Sequence, residues 1–125
     1  MSVRVVIADD DADIRQLVMI SAAKAGLEVV AEVGDGDAAW EAIVQHVPDL
    51  AILDVTMPGV SGLDVCRRVR ADSTLASVQV ILVSAAAAES SIEAGLAAGA
   101  TDYLSKPFSP RELAARLMTY QAATR

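Results

Sequence analysis

The chain has 125 residues, a formal net charge of −7 and 54% apolar residues. That length fits one domain with a real core and is too short for two ordinary ones. The acidic balance argues against nonspecific binding to nucleic acid or to an anionic membrane surface, and the single Cys66 excludes an internal disulfide and a cysteine-based metal cluster.

The elements alternate. Val3–Ala8 reads as a first apolar strand; it is too short for a membrane span and no signal-peptide cleavage pattern follows it. Asp11 or Asp13 can cap a first helix whose Ile14, Leu17, Val18 and Ser21 share one face, with Gly26 ending it. Leu27–Val33 is a second strand, and Gly34–Asp35–Gly36 a turn. Asp37 is the expected cap of a second helix that runs to His46 and turns Ala39, Trp40 and Ile43 inward, until Pro48 blocks it. Leu50–Leu53 is a third strand, buried on both faces. A third helix after Gly62 runs to Arg70 and buries Leu63, Cys66 and Val69. Val78–Val83 is a fourth strand. Ser90 or Ser91 opens a fourth helix that ends at Ala98–Gly99, and Ala100–Leu104 is a short fifth strand. Ser109–Pro110 starts the last helix with proline at its first position, and Leu113, Ala114 and Leu117 face inward.

Five strand-then-helix repeats with β-branched, doubly buried strands imply an α/β fold with helices on both faces of a parallel sheet. Right-handed crossovers and this strand count suit a flavodoxin-like, doubly wound (βα)5 sandwich in the order 2-1-3-4-5. Strands 1 and 3 are then neighbours, and ligands bind at the C-terminal ends of such strands.

Strand 1 ends in Asp9–Asp10–Asp11 and strand 3 in Asp54. One Asp is explained as a helix cap, but three in a row beside a fourth repel one another, and a divalent cation offsets that repulsion. Hard oxygen donors without His or Cys suit Mg²⁺ better than zinc. Strand 4 ends in Ser84, and strand 5 is followed by Lys106–Pro107–Phe108. A carboxylate nucleophile, a metal site, a hydroxyl and an ammonium are the parts of phosphoryl transfer to Asp54. No Walker loop and no G-x-G-x-x-G is present, so the donor must arrive already activated.

These segments resemble the receiver domain of two-component response regulators, over the whole chain. The pieces are Ala8–Asp9–Asp10–Asp11, Leu53–Asp54–Val55–Thr56–Met57–Pro58–Gly59, Ser84–Ala85, and Gly99–Ala100–Thr101–Asp102–Tyr103–Leu104–Ser105–Lys106–Pro107–Phe108. The resemblance implies that Asp54 is the phosphoacceptor. It implies Mg²⁺ held by Asp10 directly, by Asp9 largely through water, by Asp54 and by the backbone carbonyl of Thr56. Ser84 and Lys106 would contact the phosphoryl group, Tyr103 would be the switch aromatic that follows Ser84, and the Lys106–Pro107 peptide would be cis. The switched face would be the fourth helix, fifth strand and fifth helix.

Residues 1–125 are expected to be a single receiver with no output domain in this chain, either a stand-alone regulator or a piece of a longer one. By the same resemblance, it takes a phosphoryl group from a sensor histidine kinase or phosphotransfer protein and acts in the cytoplasm on a downstream protein or output domain. No direct contact with nucleic acid or membrane is expected, and phosphorylation-dependent homodimerisation is left open. The chain would catalyse its own phosphorylation and lose the group slowly. Neither Thr56 nor Ala86, which tune water access in this family, is an obvious base. Two other readings compete. A haloacid-dehalogenase-type phosphohydrolase also uses Mg²⁺ and a nucleophilic Asp, but expects a second Asp where Thr56 stands. A receiver-like interaction module that is never phosphorylated would be expected to lack pocket residues that are present here.

Overall fold

The computed structural model describes residues 3–85 and 89–124. Its elements are β1 (Arg4–Ala8), α1 (Ala12–Lys24), β2 (Glu28–Val33), α2 (Gly36–His46), β3 (Leu50–Asp54), α3 (Gly62–Ala71), a 3-10 turn (Ser73–Leu75), β4 (Gln79–Ser84), α4 (Glu89–Ala97), β5 (Asp102–Ser105) and α5 (Pro110–Thr124). The five strands form one sheet in the order β2-β1-β3-β4-β5, and every pairing is parallel. This is the doubly wound arrangement that the repeat pattern predicts.

Alternate strand residues feed two cores. Val5, Ile7, Leu50, Ile52, Ile81 and Val83 face one side, where Val18 and Ala22 of α1 and Leu113 and Leu117 of α5 cover them. Val6, Ala51, Leu53, Val80 and Leu82 face the other, under Ala39 and Ile43 of α2, Val65, Cys66 and Val69 of α3, and Ala98. All five residues of β3 are buried, because it is the central strand and has helices above and below. Each fully buried Leu or Ile there is worth about 1.5–3 kcal/mol, so the strand that carries Asp54 is rigidly seated.

Several local expectations shift. In α1 the buried stripe is Val18, Ser21 and Ala22, while Leu17 is 37% exposed. Ser21 Oγ donates to the carbonyls of Leu17 and Pro110, which turns this face of α1 toward the start of α5. In α2 the cap is Asp35, whose carboxylate accepts from the Ala38 N–H at 2.8 Å, and Asp37 lies in the first turn. Gly36 decides this. The helix starts at Gly36, two residues earlier than a cap at Asp37 would give, and a Cβ at Gly36 would overlap the Val60 carbonyl. In α3 Val65 is buried beside Cys66 and Val69, and Leu63 is only partly buried. β4 starts at Gln79, because the Val78 N–H closes the preceding 3-10 turn onto Leu75 O at 3.1 Å. α4 starts at Glu89, so Ser90 and Ser91 fall within its first turn. The Ala86 expectation lies outside the described residues.

The end of α2 is strained. Val47 caps it at φ 42° and ψ 65°, in the left-handed region, which a β-branched residue rarely occupies. Pro48 next to it disfavours the ordinary helical alternative. Val47 is 45% exposed, so little packing would be lost on replacement. Val47→Asn should raise stability by about 1 kcal/mol. The check is a higher urea midpoint at unchanged slope.

Candidate functional site

The site forms where β1, β3, β4 and β5 end. Parallel pairing of β1 with β3 sets Ala8 beside Leu53, so Asp9 and Asp54 emerge at the same edge. Asp9 and Asp54 are both nearly inaccessible, at 3% and 4% exposure, whereas Asp10 is exposed. One oxygen from each of Asp9, Asp10 and Asp54 lies within 4.8 Å of the others.

Each buried carboxylate is held at two points. Asp9 Oδ1 accepts from the Asp11 N–H at 2.9 Å, and Asp54 Oδ1 accepts from the Thr56 N–H at 3.4 Å. The Lys106 ammonium bridges the other oxygens, 3.2 Å from Asp9 Oδ2 and 3.3 Å from Asp54 Oδ2. Lys106 reaches this position because its N–H donates to Ser84 O at 2.8 Å, which ties the segment after β5 to the end of β4. The Lys106–Pro107 peptide is cis. Asp11, meanwhile, caps α1 by accepting from the N–H groups of Asp13 and Ile14.

Ser84 is buried at the end of β4. With Thr56, Leu63, Ala94 and Tyr103 it lines a cavity of about 260 Å³ beside the carboxylates. Tyr103 is partly buried against the core on that side of the sheet. Two contributors carry no motif signal. Gly62 lets the first turn of α3 press on β3, since a Cβ there would fall 2.2 Å from Asp54 O. Arg15 of α1 donates to the backbone carbonyl of Asp9 at 2.8 Å.

Electrostatics follow from this crowding. Burial first, and the Asp9 charge second, push Asp54 up to about 6, against the Lys106 ammonium and the Thr56 N–H, which pull it down. Burial pulls the Lys106 ammonium down, but Asp54 and Asp9 together outweigh it and hold Lys106 above its ordinary value. Three carboxylates against one ammonium leave a net negative pocket of hard oxygen donors. That donor set fits a divalent hard cation.

A family model for the response regulator receiver domain matches residues 5–118. The chain belongs to the response regulator receiver family. It is 39% identical over 117 residues to the DNA-binding response regulator MtrA of Mycobacterium tuberculosis, covering 94% of this chain and 50% of that protein. It is 40% identical over 113 residues to the phosphate regulon transcriptional regulatory protein PhoB of Pseudomonas aeruginosa, covering 90% and 49%. The chain thus spans about half the length of these curated relatives. Among solved structures, the chemotaxis response regulator CheY4 of Vibrio cholerae superposes with a TM-score of 0.88 at 30% identity, over 96% of this chain and 99% of that one.

Receiver domains of this family bind Mg²⁺ at an acidic pocket and interact with histidine kinases or phosphotransfer proteins. The match favours neither the phosphohydrolase nor the unphosphorylated module. No helix among the described residues is long and apolar enough to cross a membrane.

The raised Asp54 value makes a stability statement. Its folded value exceeds the unfolded one, so the ionised carboxylate is a cost to the fold at neutral pH. That cost is relieved as the pH falls through about 6 toward the ordinary aspartate value of 3.8. In the metal-free protein, Asp54→Asn should therefore raise stability at about pH 7.5 by up to about 2 kcal/mol, with the gain shrinking toward about pH 4.5. Urea titrations in a chelator at the two pH values measure it.

Proposed function

We propose that this receiver accepts a phosphoryl group on Asp54 from a phosphohistidine on a sensor histidine kinase or a phosphotransfer protein. The observation that supports this most is the Lys106 ammonium lying within 3.3 Å of both Asp9 and Asp54 at one sheet edge. Such a group can neutralise charge on a transferring phosphoryl. An Asp54 oxygen attacks phosphorus, the phosphorus–nitrogen bond of the donor breaks with its electron pair going to nitrogen, and the donor imidazole, already protonated on its other ring nitrogen, leaves neutral. Asp54 then carries an acyl phosphate. Its raised pKa reflects a poorly solvated carboxylate, and water exclusion also strengthens the contacts that Lys106 and Ser84 make with phosphoryl oxygens.

The cation we assign is Mg²⁺, with Asp9, Asp10, Asp54 and the backbone carbonyl of Thr56 as its protein ligands. When bound, it supplies Lewis-acid neutralisation of phosphoryl oxygens. Acting as a slow catalyst on itself, the chain offers at the exposed Thr56 beside Asp54 a side chain with no basic group to activate water.

The readout we propose is the α4–β5–α5 face. Ser84 and Tyr103 line one cavity next to Asp54, so a dianion that draws Ser84 toward itself changes the space open to Tyr103. A downstream protein or output domain, or a second copy of the chain, would read that face. A cytoplasmic setting fits these partners, with no direct contact to nucleic acid or membrane.

Incubation with acetyl phosphate and Mg²⁺ should add one phosphoryl group, seen by intact mass. Asp54→Asn or removal of Mg²⁺ by a chelator should abolish it. Persistent labelling of Asp54→Asn at this site would sink the assignment. Lys106→Ala should slow labelling by about a hundredfold. Its Mg²⁺ affinity should not fall, since losing an ammonium leaves the carboxylates less compensated.

A further inference from the structure

Arg15 has no part in the chemistry above, yet its side chain turns back from α1 to the end of β1. Its Nη1 donates to the backbone carbonyl of Asp9 at 2.8 Å. Its Nε lies 3.8 Å from Glu32 Oε2 on β2, and its side chain is 24% exposed. The carbonyl it grips belongs to the peptide unit shared by Asp9 and Asp10. That unit is planar, so fixing its oxygen fixes the plane and the direction in which the Asp10 Cα leaves it.

The two aspartates are held very differently. Asp9 is fixed by its N–H on Val33 O at 3.1 Å, by Asp11 N–H on Oδ1 and by Lys106 on Oδ2. Asp10 lies beyond the end of β1 in a bend and is exposed, so no sheet ladder orients it. Its carboxylate nonetheless reaches within 4.8 Å of the oxygens of Asp9 and Asp54.

We propose that Arg15 is a positioning residue for the cation site. Through the Asp9 carbonyl it fixes the Asp9–Asp10 peptide, and so keeps the Asp10 carboxylate in the three-carboxylate cluster. Glu32 steadies the guanidinium from the β2 side. This rests on the reading of that cluster as a Mg²⁺ site. The partly exposed Arg15–Glu32 pair contributes little stability itself; its effect is orientation.

The sign of the effect separates this from plain electrostatics. Arg15 is a cation close to a cation site. If charge alone mattered, removing it would tighten Mg²⁺ binding. If it positions Asp10, removing it weakens binding despite the lost repulsion. Groups that orient metal ligands from outside the coordination sphere typically control affinity by 10–100-fold.

The experiment is calorimetric titration of the full chain with Mg²⁺, with circular dichroism to check folding. Arg15→Ala should weaken Mg²⁺ binding about tenfold. Its labelling rate by acetyl phosphate, once Mg²⁺ is saturating, should return to within about twofold of wild type, since Arg15 does not touch the reacting atoms. Arg15→Gln, which keeps a donor without the charge, should bind more tightly than the Ala variant. Should Arg15→Ala not fold, Arg15→Gln and Arg15→Lys carry the comparison with wild type. Equal or tighter binding by Arg15→Ala overturns the proposal. So does binding by both Arg15→Gln and Arg15→Lys that is no tighter than binding by Arg15→Ala, which would show that a donor to the Asp9 carbonyl is not what matters. Failure of the wild type to bind Mg²⁺ would instead overturn the underlying reading of the cluster.

Discussion

The ammonium of Lys106 between Asp9 and Asp54 is the contact on which this site depends. β1 and β3 are hydrogen-bonded neighbours, so their terminal carboxylates meet whether or not the encounter is favourable. β5 is separated from β3 by β4. A cation from β5 must therefore reach across the end of β4, and the long lysine stem does so once the Lys106 N–H is tied to Ser84 O. The same tie joins the backbone of Lys106 to that of Ser84, whose side chain is buried at the end of β4.

Such a site is a burden to the metal-free fold. Asp54 is almost fully buried, and its raised pKa records that its charge is poorly solvated and faces Asp9. The single ammonium does not cancel that. The two apolar cores must, and they are built to do so, since β3 is buried along its whole length and β4 at five of its six positions. Groups poised for chemistry commonly sit in surroundings that destabilise them, and here the most strongly seated strand carries the most costly residue.

How much of this could be read from the chain depends on how local each cause is. The strands were legible because doubly buried apolar runs and their turn residues are local signals. The positions of Asp9, Asp54, Ser84 and Lys106 followed, since each ends or follows such a run. What could not be read was set by contacts distant in sequence. Leu17 is exposed while Val18, Ser21 and Ala22 face inward, with Ser21 bonded to Pro110 of α5, and a 3.6-residue period does not reveal that phase. Asp35 rather than Asp37 caps α2 because Gly36 passes under Val60. Arg15 lies six residues from the carbonyl it holds, and an arginine on a helix carries no motif at all.

The remaining asymmetry is in α4. At its C-terminal end the Cys66 thiol donates to Ala98 O at 3.4 Å, and Arg70 Nε donates to Gly99 O at 2.8 Å. Burial pushes the Cys66 thiol up, so it stays protonated and remains a donor. Arg70 also bonds the carbonyls of Ala76 and Val78, which locks the α4–β5 turn to α3 and to the start of β4. Gly99, at φ 100°, can take no side chain there, because a Cβ would meet Arg70 Cγ at 2.2 Å. Ser91 and Ala94, nearer the other end, border the open cavity beside Ser84 and Tyr103. The two ends of α4 thus differ in what surrounds them: carbonyls just past one end are bonded by Cys66 and Arg70, and residues toward the other border open volume.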